Sequence, residues 1–216
     1  MCAGEYRDLT MLLSKVGRRL YRRYERYLYA FETGEPASTE CYAWDVDEGQ
    51  RIVILDGSDS HQMASWHGIK PNLRRKFDDM LKEGEVGFFL LAGEQVIGHI
   101  WLILNRGSRV VDRGYLRIYP GEAYAHHLRA YPQAGGRSPA HAMKKLHAGM
   151  RHELRAKGIS VLKTSVFVDN RPAVAFTGAL LGGRIAGTST QWKVGGMSFR
   201  RIRLTERGTR MSHVRW

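Results

Sequence analysis

Two apolar runs, Val86–Ala92 and Gln95–Leu104, follow one another with only Gly93-Glu94 between them. Strand-like segments joined by so short a glycine-bearing turn read as a β-hairpin, so the chain contains antiparallel sheet. The second half adds helices. Ser138-Pro139 reads as a helix N-cap followed by proline at the first helical position. Met143, Leu146, Met150 and Leu154 then recur at helical spacing, and Lys157-Gly158 closes the helix with glycine at the C-cap. A strand over Val161–Val168 follows, a second helix is entered by Asp169-Asn170-Arg171-Pro172 and ended by Gly182-Gly183, and Arg184–Thr190 and Met197–Leu204 read as two closing strands. Earlier, Arg51–Leu55 and Tyr115–Tyr119 are strand-like, and residues 60–82 are helical with breaks at Gly68 and Pro71. Strands alternating with helices around a hairpin predict a mixed α/β sheet rather than a bundle or a sandwich.

Residues 10–32 carry Leu13, Val16, Leu20, Tyr24, Tyr27 and Phe31 at spacings of three and four, which predicts a helix with an apolar stripe and an arginine-rich opposite face. The chain therefore divides into a basic N-terminal amphipathic helix over residues 1–34 and a single domain over 35–216. Lys15, Arg18, Arg19, Arg22, Arg23 and Arg26 on that helix are opposed only by Glu25. Residues 27–105 count six basic against thirteen acidic side chains, and from Arg106 onward 21 basic face five acidic. The formal net charge is +13. A gradient of this kind suits either solubility or an anionic partner. No stretch approaches the ~18–20 apolar residues of a spanning helix, and no secretory leader is evident. Cys2 and Cys41 cannot build a disulfide framework or a zinc site. His141, His147 and His152 are spaced six and five, off any one helical face, and no metal is expected. The chain reads as a cytosolic globular protein.

The sharpest local chemistry is Tyr131-Pro132-Gln133-Ala134-Gly135-Gly136-Arg137-Ser138. A strand over residues 122–131 ends at a proline, two glycines allow close backbone approach, and a helix N-terminus with unpaired amides opens directly after. These amides and Arg137 would suit a diphosphate, although glycines alone also fit an ordinary strand-to-helix turn. The pattern is neither a Walker P-loop nor a dinucleotide fingerprint.

The Gln133-x-x-Gly136-x-Ser138 turn, its flanking strand and helix, and the following Asn170-x-x-Ala173-x-x-Phe176 together resemble the GNAT superfamily of acyl-CoA-dependent N-acyltransferases. The resemblance covers roughly residues 85–204, the expected cofactor core. It implies a mixed, mostly antiparallel central sheet with a splayed strand pair, flanked by helices. It also implies acetyl-CoA or another acyl-CoA as co-substrate and a primary amine as acceptor, reacting directly in a ternary complex. The pyrophosphate would lie on Gly135, Gly136, Arg137 and Ser138, and the pantetheine arm along the strand through Leu128 and Ala130. The Ala130 amide would face the thioester carbonyl, Asn170 would bind the arm or the strand, and Phe176 would line the thiol end. Period-two geometry puts Glu122, Tyr124, His126, Leu128 and Ala130 on one face and His127 on the other. His126 and then Glu122 are the candidate bases. Thr177 replaces the tyrosine that often reprotonates the leaving thiolate, and Gly182-Gly183 comes about one residue late against the family pattern. Tyr124 or water would serve as acid, or the thiolate leaves unassisted, or transfer has been lost.

Three partner classes remain open at this level. Acyl-CoA is the first donor, and an acidic acyl-carrier protein is the alternative donor for so basic a chain. Arginines of residues 15–26 and of Arg200, Arg201, Arg203, Arg207, Arg210 and Arg215, with Trp216, would also suit a nucleic acid such as a tRNA. The acceptor would be held by residues 34–84 and 105–121, where the acidic bias of 32–59 suits a cationic amine or is simply a solvated loop.

Overall fold

The computed structural model describes residues 21–33, 49–57, 59–109, 111–113, 116–131, 139–194 and 197–205. The strands are β1 (Tyr21–Glu32), β2 (Gln50–Leu55), β3 (Val86–Ala92), β4 (Gln95–Asn105), β5 (Val111–Arg113), β6 (Leu116–Ile118), β7 (Glu122–Ala130), β8 (Val161–Phe167), β9 (Arg184–Val194) and β10 (Met197–Leu204). The helices are α1 (Pro71–Lys82), α2 (Pro139–Ala156) and α3 (Arg171–Ala175), the last continued by a π-helical turn over Phe176–Leu180. Eight strands form one sheet in the order β10-β9-β1-β8-β7-β4-β3-β2, and β5 and β6 pair apart from it. Every pairing in the large sheet is antiparallel except β7 with β8.

The hairpin β3–β4 is the centre of the core. A strand covered on both faces reads as a nearly continuous apolar run, and both runs are of that kind. Phe88, Leu90, Ile100 and Leu102 point to α2, where Met143, Leu146, Met150 and Leu154 meet them. Phe89, Leu91 and Trp101 point to α1 and meet Phe77, Met80 and Leu81. Both helices close with glycine in the left-handed region. Gly158 (φ 72) and Gly84 (φ 79) each sit at the position where the next residue's N–H reaches back to a carbonyl one turn earlier: Ile159 to Leu154, and Glu85 to Met80.

The N-terminal segment differs from the expectation. Residues 21–32 are not helix but a strand inserted between β8 and β9. The spacing of Leu20, Tyr24, Tyr27 and Phe31 fits a helical stripe, yet the segment is also crowded with tyrosines that favour a pleated, packed surface. Tertiary pairing decides: Leu28, Tyr29, Ala30 and Phe31 are all buried, on both faces. Arg151 of α2 donates to the Glu32 carbonyl (2.6 Å), Arg155 donates to the Thr33 carbonyl, and the Thr33 hydroxyl donates to the Ile159 carbonyl (2.6 Å). Residues 1–20, with Lys15, Arg18 and Arg19, lie outside the described residues. The described part of the segment, β1, is a strand of the same sheet as β8 and β9.

Burial holds two imidazoles uncharged. His147, under Phe31, is pushed down to about 3 by desolvation and then by Arg151. His99 is pushed down to about 3 by desolvation, then by His127 and Arg129. A histidine kept neutral by the fold contributes stability above its unfolded value of about 6.5, and loses it as pH falls toward 3. Unfolding free energy from urea titrations is expected to fall by about 1.4 kcal/mol per pH unit for each of these histidines over that window. The His147→Leu variant should flatten the dependence by one histidine's share; an unchanged slope contradicts the assignment.

Candidate active site

A gap opens in the sheet where its parallel pair parts. β7 and β8 are paired from Glu122–Val161 to Ala125–Thr164 and no further. Beyond that point β8 stays with β1, through Arg26–Phe167 and Leu28–Ser165, while β7 stays with β4, through His99–Arg129 and Gly98–Ala130. The cause lies in β7. Trp101 pairs with His126 and His99 with Arg129, so His127 and Leu128 together oppose Ile100 alone. This is a β-bulge, which bends its strand and steepens the twist. His127 carries it at φ 53, the left-handed region where the Cβ of an L-residue crowds the following carbonyl at a cost of ~1–2 kcal/mol. The vertex is tied by the Thr164 hydroxyl donating to the Ala125 carbonyl (2.8 Å) and by a hydrogen bond between the Tyr124 and Ser165 hydroxyls (2.9 Å).

The bulge resets which side chains share a face. Glu122, Tyr124 and His126 lie together on the α1 side, but Leu128 and Ala130 do not join them. Arg129 and Tyr131 take that side instead, near His99, and Ala130 packs against the α2-side core. His127, expected on the opposite face, has its ring 6.5 Å from that of His126. The Tyr131 N–H bonds to the Ile97 carbonyl (2.9 Å), so Ala130, one residue earlier in an antiparallel ladder, turns its N–H away from β4 toward the gap.

Two histidines beside the vertex have different partners. His126 Nε2 is 2.8 Å from Glu85 Oε2, and its ring stacks on Tyr124 at 5.8 Å and 8°. An ionised carboxylate only accepts, so the shared proton is on Nε2 and Nδ1 keeps the lone pair of the neutral ring. Glu85 is buried, and the α1 cap holds its backbone. His127 Nε2 is 2.7 Å from Lys76 Nζ, and its Nδ1 is 3.4 Å from His99 Nε2, whose Nδ1 is 3.4 Å from the Tyr131 hydroxyl. An ammonium only donates, so Lys76 sets His127 as acceptor at Nε2 and donor at Nδ1. Burial and then the Lys76 charge hold His127 below the ordinary histidine value, and burial raises the Tyr131 hydroxyl.

Glu122 is committed elsewhere. Its carboxylate accepts from Lys163 Nζ at 2.6 Å and from the Tyr119 N–H at 2.8 Å, with both side chains of the pair almost wholly buried. Desolvation lowers Lys163, while Glu122 opposes that shift. This pair is a structural part of the sheet rather than a base facing the gap. Asn170 caps α3, its Oδ1 accepting from the Ala173 N–H (3.3 Å), and Phe176 packs on the α2-side core. The late Gly182-Gly183 has a physical cause: the turn over Phe176–Leu180 is π-helical, with the Leu181 N–H reaching Phe176 O, and such a turn absorbs one extra residue. Thr177 is 5% exposed, and its carbonyl accepts from the Gly183 N–H (2.9 Å). Gln133, Gly135, Gly136, Arg137 and Ser138 lie outside the described residues.

Glu85, Ser165 and Lys163 are additions to the residues read from the sequence. The first follows Gly84 at the head of an apolar strand, and the last interrupts the apolar run of β8; a charge in such a position signals a buried partner. Among the described residues no group of three or more His, Cys, Asp or Glu could hold a metal ion, and no helix is long and apolar enough to cross a membrane.

No family model and no curated protein matches the chain. Solved structures do resemble it. It is similar to a tandem GNAT protein from the clavulanic acid biosynthesis pathway, with 16% identity over 88% of this chain and 59% of that one, at a TM-score of 0.54. It is also similar to a GCN5-related glucosamine N-acetyltransferase region in a fungal multi-domain GH3 β-N-acetylglucosaminidase (13% identity, 92% of this chain, 23% of that one, TM-score 0.51). A Drosophila protein aligns over 90% of this chain and 59% of its own length, at 14% identity and TM-score 0.50. The chain thus spans well under two thirds of the length of each. It has the GNAT fold: a mostly antiparallel mixed sheet with one parallel pair, flanked by helices.

The Glu122–Lys163 pair gives a direct test of its structural role. Glu122→Ala takes the counter-charge from a buried ammonium and should cost about 3–5 kcal/mol of unfolding free energy, whereas the double variant Glu122→Leu/Lys163→Met should recover most of it. A Glu122→Ala protein of native stability in urea contradicts this reading.

Proposed function

We propose that the chain transfers an acyl group from an acyl-CoA thioester to a primary amine, both bound at once at the β7–β8 gap. The observation that carries the proposal is the parting of β7 from β8 beside the Glu85–His126 pair. A pantetheine arm carries amides and needs strand-like backbone partners. The edge of β7 beyond Ala125 offers them, with the Ala130 N–H directed into the gap, so the residues present fit such a group. The thioester supplies an activated acyl carbonyl. Leu128, Ala130, Asn170, Ala173 and Phe176 would line the arm, and Gln133, Gly135, Gly136, Arg137 and Ser138 would take the diphosphate at the start of α2.

An amine attacks only when neutral, so a group near the vertex must take its proton. His126 is the base in this reading. Glu85 fixes the ring and its tautomer and stabilises the imidazolium, the part a carboxylate plays in any carboxylate–histidine pair. Tyr124, whose hydroxyl is shared with Ser165 and whose ring stacks on His126, is the acid for the departing thiolate. The Lys76 ammonium and the uncharged side chains of His127, His99 and Tyr131 form a hydrogen-bonded wall beside this pair. Acetyl is a small acyl load, and acetyl-CoA is the probe of choice.

Titration calorimetry with acetyl-CoA should register binding, and its absence at millimolar ligand overturns the proposal. With an amine panel and thiol release as the readout, His126→Gln is expected to lower kcat/KM by about 10²–10⁴-fold. Glu85→Gln should give a smaller loss with acetyl-CoA binding intact; equal activity in all three proteins excludes His126 as the base.

A further inference from the structure

The half-sheet of β1, β9 and β10 lies beyond the gap and takes no part in it. Register partners share a face. Arg23, Trp192 and Phe199 form one row, Glu25, Thr190 and Arg201 the next, and Tyr27, Thr188 and Arg203 a third. Successive rows are two residues apart, ~6.6–6.8 Å along the strands. A groove of about 260 Å³ runs between them. At its outer end Tyr21 is 51% and Phe199 52% exposed. Arg23 is ion-paired with Glu25, which neutralises the one carboxylate of the three rows. Among the described residues, neither Arg201 nor Arg203 pairs with a carboxylate.

Guanidiniums, flat rings and hydroxyls in successive rows complement a flexible chain of phosphates, bases and ribose hydroxyls. We propose that this face binds single-stranded RNA. Arg201 and Arg203 would contact phosphates, Trp192 and Phe199 would stack on bases, and Thr188 and Thr190 would meet 2′-hydroxyls. A duplex keeps its bases stacked inside and offers the rings nothing. The edge strand β10 carries Arg200, Arg201 and Arg203, charges that keep its open backbone from recruiting another strand, so the arginines favour a charged ligand over β-augmentation. The claim is independent of acyl transfer.

The test is fluorescence anisotropy of the full chain with a labelled oligouridylate of about 12 nucleotides, within the site sizes such platforms use. The Arg201→Gln/Arg203→Gln variant should weaken binding by about tenfold or more and reduce the slope of log K against log salt by about 1.4, the share of two phosphates on a single strand. Arg75→Gln/Lys82→Gln on α1 makes the same change in net charge on another part of the molecule and should shift affinity less than about twofold. Trp192→Ala should cost about fivefold or more with the slope unchanged, and the exposed Phe199→Ser repeats that arm if the tryptophan variant fails to fold. Equal losses in the α1 variant reduce the effect to overall charge and overturn the proposal. So does equal binding to the deoxy oligomer, to duplex RNA or to phosphatidylserine vesicles.

Discussion

One extra residue in β7 governs the arrangement of everything around it. Were His127 and Leu128 not both set against Ile100, β7 would continue flat beside β8 and the sheet would close. The bulge bends β7 after Ala125, and β8 is held to β1 on its other side, so the two strands cannot follow one another. The gap, the inward turn of the Ala130 amide and the meeting of His126 with His127 on one side of the sheet all follow from that insertion. The left-handed φ at His127 is sustained because its ring is held from two sides, by Lys76 and by His99.

The buried charges divide between those neutralised within the scaffold and the pair that the proposed transfer would use. Glu122 and Lys163 neutralise each other within the sheet, and the arginines of α2 spend part of the chain's positive charge on the carbonyls that end β1. Glu85 and His126 are different. His126 retains contact with solvent while Glu85 does not, an asymmetry that lets the ring exchange protons while its partner stays fixed.

Much of the fold was legible in local patterns. The hairpin, the helix that Pro139 opens and Gly158 closes, and the strand after Gly158 have signals confined to a few neighbouring residues. What was not legible depends on contacts distant in sequence. Tyr21–Glu32 carries both periodicities, and only its pairing with Val161–Phe167 and with β9 chooses between them. The bulge has no glycine to announce it, so alternation along residues 122–131 misassigned Leu128, Ala130 and His127. The GNAT resemblance held at the level of fold, and the late glycines at 182–183 found their reason in a π-helical turn. Glu85 escaped notice because its relation to His126 runs through β3 and β4, two strand registers away.

The placement of β1 has a consequence for biosynthesis. Glu32 pairs with Val161, and Tyr27 with both Val166 and Thr188. Its partners leave the ribosome on the order of ten seconds later at ~5–20 residues per second. Until then Leu28 to Phe31 is an orphaned sticky segment, and the sheet cannot be zipped from one end in order of translation. The nascent chain has to keep that segment shielded, by a chaperone or by transient collapse, until β8 and β9 close on either side of it.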